Sequence, residues 1–428
     1  MTPTLIKGGR VIDPEMGMDG VMDIYIENGK IAAIGNEKSK TQNPKPKIID
    51  ASGKLVVPGL IDMHTHLREP GHEYKETIQT GCLAAAQGGF SSICCMPNTE
   101  PVNDNQSVTD YILRKANMAC GVRVYPVGAI SRGLRGQGLA EYGEMKAAGV
   151  IALSDDGHPV MDAQLMRRAL EYANGFGLLV ISHCEDRNLT ADGVMNEGVT
   201  ATRLGLAGIP NASETVMVAR DIALSELTGA PLHIAHVSAE GSVRLIREAK
   251  ARGLPITAET APHYFSLTEE AVINYDTNAK VHPPLRTAQD RDAVRGGLAD
   301  GTIDVIASDH APHSTVEKDV EFDAAANGLI GLETSLPLSL KLVAIGLLNL
   351  VDLVAKMSVN SARILKLSHI GLKVGNPADV TVVDLEKEFK VDANTFRSKS
   401  RNTPFNGWQL KGRATLTMVG GKVVYREN

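Results

Sequence analysis

Cysteine is scarce in this 428-residue chain, at five residues: Cys82, Cys94, Cys95, Cys120 and Cys184. So small and odd a number cannot build a disulfide framework, and the adjacent pair Cys94 and Cys95 lacks zinc-knuckle spacing. Reduced, mostly buried thiols are expected. A basic block is missing as well. With 44 Lys+Arg against 50 Asp+Glu the formal charge is −6, which argues against nucleic-acid binding by counterion release. No apolar run approaches the roughly 18 residues that a membrane helix needs. The opening MTPTLIKGGR has no apolar stretch of signal-peptide length, so a cytoplasmic location is expected. No GxGxxG or P-loop stands at a strand-to-helix junction. GLRGQG at 133–138 lacks the Lys-Ser/Thr and the downstream acidic partner, and reads as a plain loop. What is left, 43% hydrophobic and 22% charged, is an ordinary globular composition with room for one large barrel and a smaller unit. Histidine is the surplus: there are 12, several next to Asp, Glu or another His.

The two ends of the chain read alike. LIKGGRVIDP and DIYIENGKIAAIG near the start, and PADVTVVDL and ATLTMVGGKVVYREN near the end, alternate apolar residues around Asn-Gly or Gly-Gly. That is the hairpin signal. It predicts one small β-sandwich domain from 1–55 plus 372–428, joined because the termini of the central domain lie close. Two separate β decorations are the alternative. In between, 56–371 alternates short apolar runs with helical patterns. The runs are GLIDMHTH (59–66), SSICCMPN (91–98), VRVYPVGA (122–129), GVIALSDD (149–156), LLVISHCE (178–185), LHIAHVS (232–238), PITAETAP (255–262) and DVIASDHA (304–311). DAQLMRRALEYANGFG, SETVMVARDIALSELTGA and GSVRLIREAKARG carry apolar spacing near 3.6. Eight alternating units predict an α/β fold with parallel strands, a (β/α)8 TIM barrel. In nearly every unit a His, Asp, Asn or Glu falls at the strand's C-terminal end, the face where barrels place their sites. An open doubly wound sheet would gather such residues near one switch point.

His64 and His66 close the first run as HTH, and period-2 alternation puts both on one side. Two neighbouring imidazoles are poorly explained as packing and well explained as ligands of one borderline-soft ion. His183 ends the fifth run and His236 the sixth. His233, three residues before His236, faces the other way and is assigned to packing or support. Asp309 ends the eighth run, where an N-cap is the competing reading. Asp155 and Asp156 end the fourth, one of them a turn residue before Gly157. Five strand ends converging on one barrel mouth with ligand-type residues point to metal. Four histidines and two aspartates exceed the need of one tetrahedral ion and suit two.

At this point the sequence resembles the dihydroorotases of the amidohydrolase superfamily, of the longer, class I type. The resemblance covers essentially the whole chain. It rests on PGLIDMHTHLREPG, MPNT, SDDG, SHCED, IAHVS, ETAPHY, HPPLR, ASDHAPH and GLIGLET. It implies reversible, zinc-dependent cyclisation of N-carbamoyl-L-aspartate to (S)-dihydroorotate plus water, in de novo pyrimidine biosynthesis. One zinc would use His64, His66 and Asp309, and the other His183 and His236. Asp156, the Asp directly before the glycine, would bridge the two Zn2+ ions together with a hydroxide. Related hydantoinases and allantoinases usually bridge with a carboxylated lysine on the fourth strand. Here that strand ends in Asp155-Asp156, and Lys146 precedes it in a helical segment, which resembles the bacterial type that bridges with aspartate. Asp309 would be the catalytic acid–base. Arg68, Asn98 and His313 would hold the substrate's carboxylate, with His282, Asn327 and Gly328 also bordering it. Two positions depart from the family pattern: His282 stands where Asn is frequent, and Ala326-Asn327-Gly328 replaces Pro-Phe-Gly. The resemblance further implies a homodimer and an association with aspartate carbamoyltransferase. Two rival readings remain. One is a hydantoinase- or allantoinase-like cyclic amidase. The other is a non-catalytic scaffold for a pyrimidine-pathway partner, which would usually have lost ligands that are all present here.

Overall fold

The computed structural model describes residues 2–35 and 46–427. Strands from both ends of the chain pair into one sheet. Thr4–Asp13 runs antiparallel to Met18–Glu27, which turns back through Lys30–Gly35, and parallel to Leu55–Pro58. Leu55–Pro58 pairs antiparallel with Val380–Lys390, and Gln409–Val419 and Lys422–Arg426 extend the sheet from there. That central ladder joins the N-terminal half to the C-terminal half. Asn28 (φ 51°) and Gly29 (φ 78°) turn one hairpin, and Gly420 (φ 53°) and Gly421 (φ 76°) turn another. Positive φ at both central residues gives a two-residue turn the twist its strands require. Ile6, Val11, Ile24, Val56, Val380 and Leu416, drawn from both ends, share one core.

All eight apolar runs form barrel strands. They are Leu60–Thr65, Phe90–Cys95, Arg123–Gly128, Ala152–Ser154, Leu179–Ser182, Leu232–Ile234, Ile256–Thr260 and Val305–Ile306. They lie parallel and pair in chain order. The seam between the first and the eighth is thin: Thr65 bridges His310, and the His66 amide donates to the His310 carbonyl at 2.9 Å. Asp62 ties this seam. Its buried carboxylate accepts from the amides of His64 at 3.0 Å and Ser308 at 3.1 Å.

The helices follow from their pattern. In Ala163–Gly175 the N-cap Asp162 accepts from the Leu165 amide at 2.8 Å, and Met166, Ala169, Leu170 and Ala173 form the buried stripe. Ala212–Thr228 and Glu240–Ala251 take the positions that their 3.6 spacing predicts. Met63, Cys94, Val127, Ala152, Ile181 and Val305 form a buried cluster that fills the barrel, so the polar strand ends rest on a packed floor. The five cysteines are free, four of them buried and Cys120 half-buried. No described helix is long and apolar enough to cross a membrane.

One stretch was not foreseen from the sequence. Between Val380–Lys390 and Gln409–Val419 the chain leaves the terminal sheet. Phe396 and Phe405 there join a core with Tyr264, Phe322, Leu329 and Ile330, beside the barrel mouth.

Candidate metal centre

The first strand delivers His64 and His66 to the mouth with ring centroids 5.3 Å apart. Asp156, just past the fourth strand, lies between two pairs of imidazoles. Its Oδ2 is 3.3 Å from His64 Nε2 and 3.4 Å from His66 Nε2. Its Oδ1 is 3.3 Å from His183 Nδ1 and 3.2 Å from His236 Nε2. Asp309 Oδ1 stands 3.5 Å from His64 Nε2 and 3.4 Å from His66 Nε2. The six ligand-type residues of the sequence analysis therefore occupy one buried cluster. Within it, His64, Asp156 and His236, and likewise His64, His66 and Asp309, keep their ligand atoms within 4.8 Å of one another.

The donor set fits a metal. His64 Nε2 is buried and has no hydrogen-bond partner, although it points at two carboxylates. Burial alone would raise the Asp156 and Asp309 carboxyls, but the surrounding imidazoles, His64 foremost, hold both below the usual carboxylate range. Both are therefore ionised, as ligation requires. Burial opposes a charge on His64, yet Asp156, Glu259 and Asp309 together outweigh it and raise its pKa. The same three carboxylates that would hold a proton on His64 would hold a metal cation in its place.

The backbone is strained where the site is built. Arg68 (φ 61°), His236 (φ 34°) and Asp309 (φ 48°) all lie in the left-handed region, which non-glycine residues seldom adopt. Each such residue costs on the order of 1–3 kcal/mol and persists only where its surroundings enforce it.

Several residues orient the cluster from behind. Glu259 Oε1 lies 2.6 Å from His64 Nδ1, and its Oε2 lies 3.3 Å from His233 Nε2. His233 thus supports the site at one remove, in keeping with its opposite facing. Asp155 accepts from the amides of Ile130 at 2.7 Å and Ser131 at 3.0 Å, so it braces the loop after the third strand rather than the metal cluster. His263 is buried, has no partner on either ring nitrogen, and stands 4.0 Å from Asp309 Oδ2. Sequence reasoning assigned no role to Glu259 or His263, although both fall in the ETAPHY motif. It also missed Glu185, which reaches His183 Nε2 at 3.2 Å and His282 Nε2 at 2.9 Å.

Arg68, Asn98, His282, His313, Asn327 and Gly328 line one cavity of about 350 Å3 together with His66, Asp156, His183 and Asp309. Asn98 Oδ1 is 2.9 Å from His66 Nδ1 and fixes that ring. Arg68 is buried and remains cationic at neutral pH, since burial lowers it only to about 10. Its Nη2 faces His313 Nε2 at 3.2 Å, and its Nε donates to the Pro312 carbonyl at 3.2 Å. Burial and the Arg68 charge push His313 down to about 2, so its ring is neutral and its Nε2 accepts. His282 also stacks on His183, with centroids 5.7 Å apart and planes 13° apart.

Comparison with known proteins fits this arrangement. Residues 53–242 match a family model described as Dihydro-orotase-like. Two relatives named dihydroorotase, from Geobacter metallireducens and Syntrophus aciditrophicus, are each 58% identical, over 422 and 424 residues, with 99% of both chains covered. Among solved structures, L-hydantoinase (dihydropyrimidinase) from Arthrobacter aurescens matches with a TM-score of 0.89 at 27% identity, covering 100% of this chain and 97% of that one. Dihydropyrimidinase from Brevibacillus agri matches at 0.86 and 25%, covering 99% and 95%.

Proposed function

We propose a division of labour within this chain, which belongs to the dihydroorotase family and is a metal-dependent hydrolase of cyclic amides, interconverting N-carbamoyl-L-aspartate and (S)-dihydroorotate. The observation that carries it is the splitting of Asp156, with one oxygen toward His64 and His66 and the other toward His183 and His236. On this reading His64, His66 and Asp309 would hold one zinc ion, His183 and His236 would hold a second, and Asp156 would serve both. A zinc ion held by these residues would supply a water of lowered pKa, from 15.7 to roughly 7, and a Lewis acid for the ring carbonyl. The bridge is an ordinary carboxylate. Lys146, in the helix Tyr142–Ala148 ahead of the fourth strand, lines a different cavity with Pro58, Arg123 and Ile151, at the strands' N-terminal ends.

Asp309 is the proton carrier. In the hydrolytic direction it accepts a proton from the attacking water and delivers it to the ring nitrogen as the C–N bond breaks and the new C–O bond forms. Its Oδ1 is the oxygen near His64 and His66, and its Oδ2 lies 4.0 Å from His263 Nε2, which supports a separate role for Oδ2 in carrying the proton. Arg68 offers its guanidinium to the substrate carboxylate, with the Asn98 amide as a further donor and His313 steadying the guanidinium through its accepting Nε2. His282, Asn327 and Gly328 border the ring. By the same family resemblance the working unit is a homodimer associated with aspartate carbamoyltransferase; the sequence pattern further supports a cytoplasmic location and domains of 1–55 with 372–428, and 56–371.

The test is direct. Dihydroorotate incubated with the zinc-loaded protein should lose its ring absorbance, and a chelator should stop the loss. Faster turnover of a hydantoin or of allantoin would instead favour the reading as another cyclic amidase.

A further inference from the structure

His313 stands between two cavities. One is the substrate pocket. The other, about 290 Å3, lies behind the loop that carries Asn327 and Gly328 and is lined by Thr277, Ser314, Lys318, Arg401 and Asn402 as well as His313. With a cavity on each side, close packing alone does not fix this wall of the pocket. A few polar bonds must do so.

Those bonds come from two side chains. Lys318, only 4% exposed, donates through Nζ to the carbonyls of Ala326 at 2.7 Å, Gly328 at 3.1 Å and Lys280 at 3.4 Å. Asn402, 3% exposed, arrives from the C-terminal stretch that leaves the terminal sheet. Its Nδ2 donates to the carbonyls of Ala311 at 3.1 Å and Gly328 at 3.0 Å, and its Oδ1 accepts from the His313 amide at 3.1 Å. The two side chains thus converge on one acceptor, the Gly328 carbonyl. Gly328 itself has no room for a side chain. At φ 133° a Cβ there would meet Ala311 Cβ at 2.7 Å and His313 Cδ2 at 3.3 Å.

An ammonium group is costly to bury. The hydrogen bonds of Lys318 Nζ go to backbone carbonyls, and none of them to a carboxylate. Its three N–H donors are instead matched to three carbonyls. Burial, with Lys280 nearby, lowers Lys318 to about 7.

We propose that Lys318 and Asn402 act together as positioning residues that hold Gly328 and His313 at the distance the substrate's carboxylate requires. This rests on the assignment of His313 and Gly328 to the substrate pocket. Neither residue touches the metal cluster, so their removal should weaken substrate binding far more than it slows the chemistry.

The experiment is steady-state kinetics with dihydroorotate on Lys318→Met, Lys318→Arg, Asn402→Ala, the Met/Ala double variant and Arg68→Met, with zinc content and circular dichroism measured alongside. Lys318→Met and Asn402→Ala should each raise KM about tenfold or more and leave kcat within about threefold and zinc content unchanged. The double variant should be little worse than the poorer single, because both side chains serve one carbonyl. Lys318→Arg keeps the charge and donors but not the compact ammonium, so it should recover part of the KM. If Lys318→Met does not fold, Asn402→Ala decides alone. KM within about twofold of the parent in the clamp variants, while Arg68→Met raises it, would overturn the clamp and leave the pocket standing. An unchanged KM in Arg68→Met would remove the pocket assignment and the clamp with it.

Discussion

Glu259 holds His64: Oε1 of the glutamate lies 2.6 Å from Nδ1 of the imidazole, both side chains fully buried, and the other ring nitrogen is left without a hydrogen-bond partner. A carboxylate on one nitrogen fixes the tautomer and makes the opposite nitrogen a better ligand. Glu259→Gln keeps the shape and removes the charge. Zinc affinity should fall about 10–100-fold, as it typically does when such a partner is lost. Competition against a chelator measures it, and an unchanged affinity would mean that Glu259 only packs.

Asp309→Asn separates ligation from proton transfer. The amide oxygen can still face His64 and His66, but the amide cannot carry the proton. Turnover should fall about 10²–10⁴-fold in both directions, the usual consequence of losing a general acid–base, while the melting curve stays close to that of the parent. Activity within a few-fold of the parent would assign the proton to another group.

Gly328→Ala tests the pocket wall from the opposite side to the clamp. A Cβ at φ 133° is strained whatever the space, and here it would also meet Ala311 at 2.7 Å. A stability loss of about 1–3 kcal/mol is expected, with KM raised because His313 lies next to the displaced atoms. A variant with parental melting temperature and KM would show that the loop readily gives way.

The barrel was legible because its strands are short apolar runs with ligand-type residues at one end, alternating along the chain with segments of helical spacing. His64 and His66 announced their shared facing by spacing alone. The hairpin turns at Asn28-Gly29 and Gly420-Gly421 were legible because few other residue pairs accept positive φ twice. Glu259 was not, because a glutamate inside a strand reads as one more position in an alternation and its partner His64 is 195 residues away. Asn402 was hidden for the same reason. Its stretch sits between two strands of the terminal sheet, and only tertiary contact brings it to Ala311 and His313. The left-handed backbone at Arg68, His236 and Asp309 leaves only a faint trace in residue type, since Asp and His favour that region but are common elsewhere, and Arg does not favour it.

The proposed bridging role of Asp156 is the most direct point of attack. Apo-protein is titrated with zinc in buffer freed of CO2, and dihydroorotate hydrolysis is followed at each addition, in parallel with the same titration in bicarbonate. If Asp156 joins the two ions as an ordinary carboxylate, activity rises to the same plateau at two equivalents of zinc with or without bicarbonate. A plateau reached only with bicarbonate would mean that a carboxylated lysine completes the centre, and would contradict the bridging role of Asp156.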